Sequence, residues 1–207
     1  MKAKELRIGI IAVGPGNIMN LYRGVIRAVE IGKFSALIDL VYEPTNELYD
    51  ILFLPGVGHF EEGMRRIRDS RLDKYVQMHA SNEKLIIGVC LGMQLLFERS
   101  EEAHGSVGLG LLEGEVVRLS SRRLPHVGWN VVDFKNNFPR GFYYFVHSYR
   151  AVCKDEIVLA TTEYDGEVFP SAVMHNKTIG FQFPPEKSSH IGNKLLQEVI
   201  RCSLSQQ

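Results

Sequence analysis

Residues 88–92 read Gly-Val-Cys-Leu-Gly, between the apolar run Leu85-Ile86-Ile87 and the helix-like run Met93-Gln94-Leu95-Leu96-Phe97. Strand, Gly-x-Cys-x-Gly, helix is the cysteine form of a nucleophile elbow. A sharp turn there lifts the thiol above the strand tip, and flanking glycines let the backbone pass without a Cβ clash. The N-terminus of the following helix favours thiolate over thiol. The chemistry so prepared is attack of the Cys90 sulfur on a carbonyl carbon. The same five residues also suit a buried structural cysteine in a strand-to-helix turn, and the local pattern does not separate the two.

The surrounding elements must place that turn. Residues 6–13 form a continuous apolar run typical of a buried parallel strand, broken by Gly14-Pro15-Gly16-Asn17. Asn17 is positioned to cap a helix over 18–31, whose apolar residues recur at helical spacing. Strands follow at 36–42 and 50–54, the latter ended by Pro55-Gly56-Val57-Gly58. A helical stretch over 60–80, broken near Ser70, precedes the strand 85–89. This rhythm predicts an α/β, doubly wound, mostly parallel sheet, in which ligands lie outside the carboxyl ends of the strands. Gly14–Asn17, Pro55–Gly58 and Cys90 all fall at such ends. The second half offers short strand candidates at 114–119, 131–134, 141–146, 149–152, 157–162, 172–174 and 179–183, separated by turn signals. They are expected as antiparallel additions to the sheet. A closing amphipathic helix spans 188–203, with Ile191, Leu195, Leu196 and Val199 inward.

The 207 residues suffice for one sizeable core, and no linker or repeat interrupts them, so one domain over 1–207 is expected. Twenty-four basic and 24 acidic residues cancel, which speaks against a nucleic-acid or anionic-membrane partner. No apolar run approaches a membrane span, and the charged start Met1-Lys2-Ala3-Lys4-Glu5 is not expected to act as a signal peptide. Three widely spaced cysteines make no disulfide framework, and a reducing cytoplasm suits them. Cys153 and Cys202 read as packing residues. His59, His79, His104 and His126 show no metal-ligand spacing, and His126 is expected in a loop over 125–130. No metal or cofactor is expected.

Six segments together say more than the elbow alone. Val13-Gly-Pro-Gly-Asn17, Leu54-Pro-Gly-Val-Gly-His-Phe60, Gly88-Val-Cys-Leu-Gly-Met-Gln94, Pro125-His-Val-Gly-Trp-Asn130, Tyr144-Phe-Val-His-Ser-Tyr149 and Gly180-Phe-Gln-Phe-Pro-Pro-Glu-Lys-Ser188 occur in that order. The chain resembles the class I glutamine amidotransferases, and within them the glutaminase subunits of imidazole glycerol phosphate synthase, over almost its whole length. The resemblance implies hydrolysis of glutamine to glutamate and ammonia. It implies delivery of the ammonia through a (β/α)8-barrel cyclase subunit, in a heterodimer of histidine biosynthesis. It makes Cys90 the nucleophile of a glutamyl thioester. It assigns the oxyanion to backbone N–H groups of Leu91 and Val57, with Gly56 and Gly58 leaving the Val57 peptide free to turn. Preorganised N–H donors are what developing charge requires. Gln94, Glu102, His147, Ser148 and Tyr149 become substrate contacts. Glu102 then pairs the ammonium of glutamine, unless it merely ends a helix in solvent. Ser148 and Tyr149 face its carboxylate, unless they only pack a strand. Asn17, Trp129, Tyr144, Lys187 and Ser188 fall at the partner interface or ammonia exit.

One departure bears on activity. The family pattern is Gln-Phe-His-Pro-Glu, whereas residues 182–186 read Gln-Phe-Pro-Pro-Glu. Pro184 stands where the triad histidine belongs, and Glu186, which would orient that imidazole, remains. Proline carries no titratable group and no backbone N–H. It can neither take the thiol proton nor deliver one to leaving ammonia. Neither His147, His175 nor His190 has the triad's spacing to Glu186. The resemblance therefore implies crippled hydrolysis, or a silent scaffold that binds the partner only. The paired prolines call for an extended stretch beyond the last strand's pairing.

Overall fold

A computed structural model describes residues 5–14, 17–103 and 105–205. Residues 1–4, Pro15, Gly16 and His104 lie outside the described residues, and with them the charged start and the middle of the 14–17 turn. The first half runs β1 (Leu6–Ile11), α1 (Ile18–Gly32), β2 (Ala36–Val41), β3 (Ile51–Gly56), α2 (Phe60–Asp69), α3 (Leu72–Ser81), β4 (Leu85–Cys90) and α4 (Leu91–Leu95). The second runs β5 (Phe97–Ser100), β6 (Leu112–Arg118), β7 (His126–Phe134), β8 (Gly141–His147), β9 (Tyr149–Val152), β10 (Val158–Tyr164), β11 (Glu167–His175), β12 (Thr178–Phe181) and α5 (Ser189–Ser205).

Nine strands form one sheet in the order β2-β1-β3-β4-β12-β11-β10-β7-β8. The first five are parallel, and from β12 outward every pairing is antiparallel. The central parallel strands β3 and β4 are covered on both faces, which is why they are apolar almost throughout, whereas the edge strand β2 alternates and carries Asp39. Phe53 and Ile87 point toward α1 and α5, whereas Leu52, Leu54 and Ile86 point toward α2 and α3. The inward residues of α5 pack as expected, Leu195, Leu196 and Val199 being wholly buried.

The structure corrects the sequence reading at several places. Asn17 precedes α1 but makes no side-chain cap; its Oδ1 accepts from Asn20 Nδ2 at 3.1 Å instead. His126 lies in β7, not in a loop. Strand β7 starts five residues before the expected strand because it pairs β8 in register, Trp129 opposite Tyr144. The residues expected to continue the helix after Cys90 stop at Leu95, and Phe97–Ser100 form β5. The cause is distant in sequence: N–H groups of Leu109 and Leu111 bond the carbonyls of Leu95 and Leu96 at 2.8 and 2.9 Å. A Cβ on Gly108 would come within 2.0 Å of the Phe97 carbonyl oxygen, so only glycine lets the chain close on that helix end. As a result β6 and β9 do not extend the main sheet. They join β5 in a separate three-stranded sheet.

Candidate active site

Cys90 closes β4 with φ 56° and ψ −115°, a conformation that L-residues avoid and that structure around it must impose. The two flanking glycines are why it can be imposed. A Cβ on Gly92 would lie 1.7 Å from the Leu54 carbonyl oxygen, and one on Gly88 within 2.8 Å of the Gly92 carbonyl and of Met93 Cα. Strand β3 and helix α4 therefore pack backbone against backbone, and the turn at Cys90 is the only path left. Parallel pairing sets Gly56 beside Cys90, so the strand ends holding the nucleophile and the 56–58 loop are neighbours.

The thiol is not poised as the elbow alone predicts. Burial pushes the Cys90 thiol up to about 11, with the Glu186 charge adding to the effect. A hydrogen bond from the Leu91 backbone N–H and the charge of Lys187 oppose this and do not overcome it. Helix α4 has only five residues, too short to offset desolvation of a sulfur anion.

Gly56, Val57, Gly58 and Leu91 line one cavity of about 110 Å³. Gly58 has φ 98°, with nothing within 4 Å of a Cβ built there, so its requirement for glycine is conformational and not steric. Val57 is partly exposed between two glycines, unsupported by neighbours on its solvent side. The loop leads into α2, whose first N–H, on Phe60, donates to Glu102 Oε2 at 2.8 Å. Glu102 thus holds the start of α2, just after the 56–58 loop, with one carboxylate oxygen engaged.

Strand β12 pairs β4, Phe181 opposite Val89, so residues 182–188 emerge beside the elbow. Pro184 is buried and extended, φ −78° and ψ 110°, beyond the last strand pair as expected. A 3₁₀ turn, Pro185–Lys187, follows and presses on α1, where a Cβ on Gly24 would come within 3.0 Å of Glu186 Cβ. Glu186 Oε2 is sealed from solvent and has no hydrogen-bond partner. Burial pushes the carboxyl up to about 7; its own backbone N–H and the Lys187 charge only partly counter this. The carboxyl is thus buried with no side-chain donor on Oε2. Ser188 is wholly buried: its Oγ donates to the Pro184 carbonyl at 2.9 Å and accepts the Tyr144 N–H at 3.1 Å. It ties the turn to β8 from inside and presents no surface.

Gln94 is buried one turn into α4. Its Nε2 donates to the Tyr149 carbonyl and to Gln182 Oε1, both at 3.1 Å. His147 is buried and directs its imidazole into the core, Nδ1 at 2.8 Å from the same Tyr149 carbonyl. The half-buried segment Ser148–Tyr149 joins β8 to β9, and the Ser148 carbonyl is held by the Leu119 N–H at 2.9 Å. Sequence reading missed two members of this group, Gln182 and His126. For Gln182 the only signal was its place in the quoted 180–188 segment, just past the end of β12. Trp129 is exposed and half-buried Tyr144 lies against it, ring centroids 6.1 Å apart. Asn17 and Lys187 are half-buried.

Comparison with known proteins identifies the family. Residues 17–201 match the family model "Glutamine amidotransferase class-I". The chain is 66% identical over 200 residues to the imidazole glycerol phosphate synthase subunit HisH of Thermotoga maritima, covering 97% of this chain and 99% of that protein. It is 40% identical over 206 residues to the subunit of the same name from Aquifex aeolicus, covering 95% and 97%. A crystal structure of a glutamine amidotransferase superposes with a TM-score of 0.73 over 95% of this chain and 98% of that one, at 18% identity, a likeness of fold. With a cysteine on a strained strand tip and its relatives matched end to end, the chain belongs to the class I glutamine amidotransferases, among the HisH glutaminase subunits of imidazole glycerol phosphate synthase.

Proposed function

We propose that the whole chain acts as one glutamine amidotransferase domain that supplies ammonia to a (β/α)8-barrel cyclase subunit in a heterodimer, and that its own glutamine hydrolysis is crippled at one step. In this reading the Cys90 sulfur attacks the amide carbon of glutamine. The N–H groups of Val57 and Leu91 receive the oxyanion. The amide nitrogen must leave as ammonia, taking up a proton that the thiol gives up. An imidazole at position 184 would carry that proton; Pro184 cannot. The observation that carries the proposal is the sealed, unpartnered Glu186 Oε2 beside Pro184.

The surface that would receive the barrel is the outer face of the β7–β8 hairpin. Register places Val127 opposite Val146, Trp129 opposite Tyr144 and Val131 opposite Phe142, all on one face. Val127, Trp129 and Phe142 are 55%, 53% and 61% exposed. Three apolar pairs side by side are more than scattered surface hydrophobes. Gln94, Glu102, Ser148 and Tyr149 are the proposed glutamine contacts, with Asn17 and Lys187 near the ammonia exit. No helix among the described residues is long and apolar enough to cross a membrane, and the three free thiols suit a reducing cytoplasm.

The test is glutamate release in the presence of the barrel subunit, by this chain and by Pro184→His. Restoring the imidazole is expected to raise the rate by about 10² to 10⁴. No gain in a folded, partner-bound variant would refute the triad assignment. Partner binding by the parent chain with no release above a Cys90→Ala control would identify it as a silent scaffold.

A further inference from the structure

Behind the apolar hairpin face lies a chain of hydrogen bonds that runs from two buried histidines with no part in the chemistry described above to Gln94 and Tyr149, two of the proposed glutamine contacts. His126, on the inner side of β7, is buried between Phe145 and Tyr164, its ring 4.8 and 3.9 Å from theirs. Its Nδ1 is 3.0 Å from His147 Nε2, and its Nε2 is 3.3 Å from Asn130 Nδ2. His147 Nδ1 is 2.8 Å from the Tyr149 carbonyl, which also accepts from Gln94 Nε2. Gln94 in turn donates to Gln182 Oε1.

The chemistry of these atoms admits one proton arrangement. A carbonyl only accepts, so His147 Nδ1 carries hydrogen. A neutral His147 then offers a lone pair at Nε2, and His126 Nδ1 must donate to it. His126 Nε2 is left as an acceptor, and the Asn130 amide, which also donates to the Glu163 carbonyl at 2.7 Å, fills it. Every donor meets an acceptor only when both imidazoles are neutral. Burial favours that state, lowering His126 to about 4 and His147 to about 3. An extra proton on His147 would oppose two donors across 3.0 Å.

We propose that His126 and His147 are positioning residues that tie the β7–β8 hairpin to helix α4, so that docking on the hairpin's outer face is felt at Cys90. The path is continuous: the hairpin carries Asn130 and His126, the Tyr149 carbonyl joins His147 to Gln94, and Gln94 sits one turn beyond the nucleophile. Buried networks of this kind have discrete arrangements and transmit a shift that soft apolar packing would absorb. The inference rests on the docking surface proposed above.

Two measurements test it. In the native chain, nitrogen-detected tautomer assignment should find hydrogen on Nδ1 of both His126 and His147 at neutral pH; hydrogen on His126 Nε2 would overturn the arrangement. The second measurement is the rate of Cys90 labelling by a diazo-ketone analogue of glutamine, with and without saturating barrel subunit, read on the Cys90 peptide. In the parent chain the partner is expected to speed labelling at least tenfold. His126→Phe, which keeps the ring stack but removes the donor, should reduce that acceleration to under twofold, with the partner's Kd changed less than threefold. His126→Asn, which keeps an N–H near the Nδ1 position, should retain most of it. Full acceleration in His126→Phe, or a parent chain that binds partner with no acceleration, would overturn the coupling alone. A parent chain that does not bind would overturn the docking surface as well.

Discussion

At the scale of single residues, the odd member of the site is Glu186. A glutamate whose carboxyl is lowered in the fold stabilises the native state at neutral pH; Glu186 does the reverse. Its native value is about 7 against 4.5 for an ordinary glutamate, so between those values the folded state holds a proton the unfolded state has released. Stability is then lost as pH rises through that window and is fully lost above about 7. The difference amounts to about 3 kcal/mol. Glu186→Gln removes the titration. Urea unfolding should show the variant gaining about 3 kcal/mol on the parent between pH 4 and pH 8, whatever cost the buried amide adds at both. Parallel pH profiles would mean that the carboxylate is solvated or paired. The same carboxyl, given the imidazole of Pro184→His to accept from, would return to the charged state. In the proposed reading, position 184 would set both the proton traffic at Cys90 and the protonation of its neighbour.

At the scale of elements, the elbow depends on backbone contact between β3 and α4. Gly92→Ala places a methyl where the Leu54 carbonyl oxygen already is, at 1.7 Å, and neither is the end of a flexible side chain. Separating the strand from the helix should cost about 3 kcal/mol or more in chemical denaturation. It should also remove Cys90 reactivity toward a glutamine analogue; a variant as stable as the parent would show that α4 can move aside freely. How legible an element was in the sequence follows from where its determinants lie. Strands β1 to β4 and helices α1 to α3 were readable because apolar period and turn residues are local. Strand β5 was not, because the helix before it ends on carbonyls captured by Leu109 and Leu111, residues more than a dozen positions away. The extra length of β7 is likewise lent by β8.

At the scale of the whole molecule, two halves of one sheet do different things. The parallel half is helix-covered and carries the elbow at its carboxyl ends. The antiparallel half leaves the outer side of β7 and β8 open, with Trp129 and its apolar neighbours in water. Trp129→Asp should leave the stability of the isolated chain within about 0.5 kcal/mol. It should weaken binding of the barrel subunit at least tenfold by calorimetric titration, about 1.4 kcal/mol or more. Unchanged affinity would move the docking surface elsewhere. What the amino-acid order carried unaided was a cysteine between two glycines at a strand tip, and a proline at 184 that cannot carry a proton; that a base belongs at 184 is what the family resemblance implies. The turn follows from sterics and the proline's inertness from its lack of a titratable atom, which are properties of residues and their immediate neighbours. Only the tertiary structure decided that burial raises the thiol, that Glu186 Oε2 lacks a partner, that Glu102 holds the first N–H of α2 and that His126 reaches Gln94 through His147 and the Tyr149 carbonyl. Burial, desolvation and hydrogen-bond partnership depend on what the rest of the chain brings alongside, and no spacing along the sequence encodes them.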